Sequence, residues 1–116
     1  MKQRFRLTRS TDIQRVRRVG KSYAHPLVVL VAAPKPQSQL RIGVIGGSRI
    51  GNAVQRNRAK RQIRGCLDQT LQQLKPGWDL LILARRPITQ GKYSEIQAAL
   101  QSLFQRAGLL VNEREG

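Results

Sequence analysis

The chain has 116 residues, with 22 Lys or Arg against six Asp or Glu, a net charge of +16. Its 40% hydrophobic content supports one domain, residues 1–116, with a single modest core, and is too high for a disordered chain. Such charge points to a polyanion. A membrane span, which needs ~20 apolar residues, is excluded, as are a disulfide framework and a zinc site, since Cys66 is the lone cysteine. The basic N-terminus lacks an apolar segment behind it, so a secretory signal is not expected and the reading is a cytoplasmic protein.

In chain order, residues 1–9 (MKQRFRLTR) read as a basic arm, flexible until bound. Thr11 with Gln14 suggests a capped helix carrying Ile13 and Val16 inward and ending near Val19 and Gly20. Residues 1–24 hold eight of the 22 basic side chains and one acid, Asp12. The continuous apolar run Leu27 to Ala33 predicts a buried strand, with a turn from Pro34 to Gln39 and a second strand over Leu40–Ile45. A glycine loop leads into a long helix that Pro76–Gly77 stops, and Trp78–Ala84 forms a third strand ended by Arg85, Arg86 and Pro87. Ser94 with Gln97 caps a last helix, whose Ile96, Ala99, Leu100, Leu103, Phe104 and Ala107 face inward. The tail from Asn112 is polar and expected to be loose. The order is α-β-β-α-β-α, with room for one extra short strand near Leu7 or Ile88.

The stretch from Arg41 to Leu74 organises the chain. Asn52 and Gln55 are spaced as an N-cap and capping-box pair. At ~100° per residue, Ala59, Ile63, Cys66, Leu67, Thr70 and Leu74 share one stripe that must face a core. Asn57, Lys60, Arg61 and Arg64 line one flank of it, and Arg58 lies roughly opposite the stripe. Six basic residues and no acid fall between Arg49 and Arg64. This gives up the alternating charges that usually support surface helices. Arginine dominates, and its planar fork suits phosphate.

Other chemistries find little support. Gly43–Gly51 sits between strand and helix as a phosphate cradle would, but Asn52-Ala53 follows where a Walker loop needs Lys-Ser or Lys-Thr, and G-x-G-x-x-G spacing is absent. His25, the only histidine, precedes Pro26 at a strand entry and reads as a turn residue. Cys66 reads as a buried thiol on the apolar stripe. The six carboxylates are scattered, so no catalytic residue and no metal ligand is assigned. Five aromatics give base stacking across a sheet little support, and no zinc-finger, heptad or helix-turn-helix spacing points to DNA.

The run RIGVIGGSRIGNAVQRNRAKRQIRGCL resembles the bacterial ribonuclease P protein subunit family, whose signature is an Arg-Asn-Arg helix after a glycine-bearing strand and loop. Arg56-Asn57-Arg58 matches, with Gly51-Asn52-Ala53-Val54 before it and Lys60, Arg61 and Arg64 after. The likeness extends through Arg6-Leu7, Asp12, Gly20 and Asp79–Arg85. It implies an α+β fold, an α/β sandwich with a small mixed sheet, three helices and a left-handed β-α-β crossover, where general rules favour the right-handed one.

The resemblance also implies that a catalytic RNA subunit, with bound Mg²⁺, removes the 5′ leader of precursor tRNA. The protein would bind that RNA through Arg49, Asn52, Arg56, Asn57, Arg58, Lys60, Arg61 and Arg64. A cleft between the first helix and the sheet would take the leader, here lined by Ile13, Arg17 and Leu30. Family clefts usually carry aromatics, so charge and aliphatic contact replace stacking. Gly47-Ser48-Arg49 stands where serine and two lysines are common. Two other readings remain beside this one, a structural RNA-binding protein of the ribosomal type and a free-standing nuclease, the latter opposed by the missing carboxylate and histidine clusters.

Overall fold

Pairing around the apolar run after Leu27 builds a four-stranded mixed sheet in the computed structural model, which describes residues 2–35 and 37–111. Its strands are Lys21–Ala24 (β1), Val28–Pro34 (β2), Leu40–Ile45 (β3) and Trp78–Ala84 (β4), in the order β1-β2-β4-β3. β2 runs antiparallel to β1 and β4, while β3 and β4 are parallel neighbours. The helices are Ser10–Val19 (α1), Ala53–Thr70 (α2) and Tyr93–Arg106 (α3). The fold is α+β, and α2 is the crossover between the two parallel strands.

Two-residue alternation sends each strand's side chains to opposite faces. Val28, Leu30, Ala32, Ile42, Leu80 and Ile82 join the main core with the inner stripes of α2 and α3. Leu7, Val16, Val31, Ala33 and Leu81 form a second, smaller cluster beneath α1. Covering both faces explains why the strand after Leu27 is apolar without alternation. All six residues of the expected α2 stripe are buried, from Ala59 to Leu74. Thr70 fits among them because its Oγ1 donates to the Cys66 carbonyl at 3.0 Å.

The capping box at α2 is present. Asn52 Oδ1 accepts from the Gln55 N–H at 2.9 Å, and Gln55 Oε1 accepts from the Asn52 N–H at 3.0 Å. Gly51 directly before it has φ 146°, and a Cβ there would lie 1.9 Å from Gln55 Oε1, so only glycine permits this entry. Gly43 has another reason. A Cβ would come within 2.9 Å of the Leu7 carbonyl, because the N-terminal segment runs beside β3, bridging it in parallel at Ile42.

Several expectations need correction. The extra strand is β1, not a segment near Leu7 or Ile88; only Tyr23 in it is partly buried, so no apolar alternation marked it. Leu7 instead donates its N–H to the Ile42 carbonyl at 3.0 Å, beside an isolated Arg6–Ile42 bridge, and Ile88 lies in a 3₁₀ turn. Part of the basic arm is therefore fixed across the sheet, with Leu7 buried. α1 starts at Ser10 with Arg9 as N-cap and no side-chain cap, so Thr11 and Gln14 do not cap it. α3 starts at Tyr93, and Glu95 rather than Gln97 completes its entry by accepting from the Lys92 N–H at 2.9 Å. α2 ends at Thr70 and tightens into 3₁₀ before Leu74. The tail from Asn112 lies outside the described residues.

Cys66 is fully buried, and burial pushes its thiol up. Cys66→Ala should lower stability by about 1 kcal/mol and leave RNA affinity intact. Denaturant unfolding and an RNA-binding titration check both; lost affinity at unchanged stability would place the thiol at the interface.

Candidate nucleic-acid interface

α2 carries its charge outward because its inner stripe is committed to the core. On one flank Val54, Asn57, Lys60, Arg61 and Arg64 line an open groove of about 420 Å³. None of these is acidic, and Val54, 72% exposed, supplies an apolar patch amid the cations. Arg58 turns to the other side, beside Gln55, Gln62 and Thr89. Two of the predicted residues have local duties. Asn52 holds the cap, and Arg56, half-buried, donates from a terminal nitrogen to the Gly51 carbonyl at 3.2 Å.

A larger groove of about 850 Å³ opens at the C-terminal ends of β3 and β4. Arg17 of α1, Arg49 of the glycine loop, and Arg85 and Arg86 after β4 surround it, with Ile45, Ile50 and Leu83 as apolar lining. Among the described residues, no acidic side chain lines it. All four arginines are exposed, so their charge faces solvent across the groove. Arg85 and Arg86 were visible in the sequence only as strand-ending charge; the parallel pairing of β3 and β4 brings them beside Arg49. His25 is a turn residue, its Nδ1 accepting from the Leu27 N–H at 3.0 Å.

The expected cleft set does not assemble as a unit. Arg17 lines the groove, but Ile13 is packed partly buried against the small cluster beneath α1. Leu30 is fully buried in the main core on the opposite face. Strand parity decides this. Val29 and Val31 point toward α1 and Leu30 away from it, which a continuous apolar run conceals.

Sequence reading also missed a charge network beneath α1. Asp79 of β4 is completely buried. Arg41, its register partner on β3, grips it with Nε on Oδ1 at 3.0 Å and a terminal nitrogen on Oδ2 at 2.9 Å. Arg15 of α1 donates to the same Oδ2, and Arg41 also reaches Asp12 Oδ2 at 3.3 Å. Hydrogen bonding to Asp79, reinforced by both nearby carboxylates, raises the Arg41 pKa despite partial burial. The available signal was Asp79 itself, a lone charge inside a strand apolar on both faces, which demands a partner.

Residues 1–108 match the model of the family Ribonuclease P. The chain belongs to the ribonuclease P protein family. A ribonuclease P protein component from Herpetosiphon aurantiacus is 37% identical over 109 residues, covering 94% of this chain and 89% of the relative. One from Bacillus velezensis is 40% identical over 110 residues, covering 94% of each. Among solved structures, the RNase P protein of Staphylococcus aureus superposes with a TM-score of 0.83 at 26% identity, covering 92% of this chain and 98% of that one. The RNase P protein of Thermotoga maritima gives 0.79 at 21% identity, covering 87% and 96%, a likeness of fold. Arg56-Asn57-Arg58, the run on which the resemblance was read, lies in α2.

Proposed function

We propose that this chain is the protein subunit of ribonuclease P, binding the catalytic RNA subunit through the α2 flank and the 5′ leader of precursor tRNA in the larger groove. The observation that carries this reading is a pair of basic grooves, lined by no acid among the described residues, on the N-terminal half of α2 and the strand ends beside it. Arginine and lysine there suit phosphate oxygens, and contacts of that kind set position and affinity rather than sequence preference. In the larger groove, Ile45, Ile50 and Leu83 offer apolar contact to an unpaired strand where aromatic stacking is missing.

The protein's share of the reaction is binding and orientation. Among the described residues no group of three His, Cys, Asp or Glu side chains is placed to hold a metal ion, and Asp12 and Asp79 are already engaged by guanidinium groups. Magnesium ions are assigned to the RNA subunit and substrate, where they supply the hydrolytic chemistry. The chain's cations lower the repulsion between two polyanions, so less magnesium is needed for assembly.

Reconstitution with the cognate RNA subunit tests the reading. Protein should rescue precursor tRNA cleavage at low magnesium and show no cleavage alone. Binding without rescue would favour a structural RNA-binding role of the ribosomal type, and cleavage by protein alone a nuclease.

Arg61→Ala and Arg64→Ala should each weaken binding to the RNA subunit and reduce the salt dependence by up to about one contact. Their melting temperatures should stay nearly unchanged, since surface cations contribute little to folding, Arg61 being exposed and Arg64 partly so. Normal RNA binding with early melting would make the flank structural.

A further inference from the structure

We propose that Asp79 and Asp12 are positioning residues that, acting through Arg41 and Arg15, hold α1 at the angle that shapes the larger groove. The proposal rests on the leader-binding reading above. α1 is tied to the sheet at its C-terminal end, where Gly20 packs on Val31 and Lys21 pairs with Ala32, but along its length Val16 is its one fully buried side chain and Ile13 is only partly buried. Apolar contact of that extent is non-directional and permits the helix to roll about its axis. The charge network is directional. A two-pronged guanidinium–carboxylate pair fixes Arg41 on Asp79, and that pair takes hold of α1 at two points, Arg15 and Asp12. Arg17 lies only two residues, or ~3 Å of helix rise, beyond Arg15 and lines the groove. A roll of α1 about its own axis would therefore swing the Arg17 side chain relative to Arg49, Arg85 and Arg86.

Charge makes the proposal separable from simple electrostatics. Neutralising an acid in a protein that binds a polyanion should tighten binding if long-range attraction were all that mattered. Positioning predicts the reverse. It also separates Arg15 as an anchor from Arg15 as a phosphate contact, because losing Asp79 would free that guanidinium for the leader.

The experiment uses reconstituted holoenzyme carrying wild-type, Asp12→Asn or Asp79→Asn protein. Affinity is measured for precursor tRNA with a leader and for the same tRNA without one. Affinity for the RNA subunit and the melting temperature are measured in parallel. Each variant should weaken leader-dependent affinity by about 2- to 30-fold, the range for residues coupled to a site they do not touch. Affinity for leaderless tRNA and for the RNA subunit should not change. Unchanged or tighter leader binding would overturn the proposal, as would a uniform loss of every affinity alongside the melting temperature. Should Asp79→Asn fail to fold, the half-exposed Asp12 decides alone. A wild-type holoenzyme indifferent to the leader would instead overturn the leader-binding reading beneath it.

Discussion

Leu67→Ala is expected to cost about 2–5 kcal/mol of fold stability. Leu67 is completely buried between α2 and the sheet, in the same cluster as Ile63, Leu80 and Phe104. Truncation removes the transfer free energy of the lost carbons and leaves a cavity that a close-packed core closes only in part. Against a total stability of about 5–15 kcal/mol, that is a large fraction. The RNA-facing side chains stand along a flank of the helix beside the apolar stripe and point to solvent, so RNA affinity per folded molecule should be unchanged. Urea unfolding gives the first quantity, and binding normalised to the folded fraction gives the second. Lost affinity in fully folded Leu67→Ala protein would mean that the core contact also tunes the basic flank.

Salt should weaken binding to the RNA subunit steeply. Arg49, Arg58 and Arg61 are exposed, and Arg56, Lys60 and Arg64 are half-exposed, in and just before α2. Six or more phosphate contacts from this set displace counterions and give a log–log slope of about −4 or steeper, allowing for folded RNA. A fourfold rise in salt then lowers affinity by roughly 10²-fold. Binding isotherms across low to moderate salt measure the slope. A slope near zero would remove the electrostatic basis of the α2 flank.

Much of this was legible before any coordinates. The α2 stripe, its Asn52–Gln55 cap and the bounds of β3 and β4 follow from periodicity and local hydrogen-bond chemistry, which act over a few residues. The family signature lay in the same stretch. β1 was not legible, because three of its four residues are exposed and its stability comes from pairing with β2. Leu30 was misplaced for a related reason: nothing within an apolar run buried on both sides says which face each residue takes.

Local sequence thus determined the organising helix, its charged and apolar sides, and the partner class that such charge attracts, because each depends on spacing within one element. Tertiary structure alone decided which cations share a groove and which acid restrains α1. Arg17, Arg49 and Arg85 come from three separate parts of the chain, and Arg15, Arg41 and Asp79 from α1, β3 and β4. Their meeting depends on strand order and register, the parallel alignment of β3 with β4 beneath α1. Those are properties of long-range pairing, in which residues far apart in the chain close a loop and contact one another only after the sheet has formed.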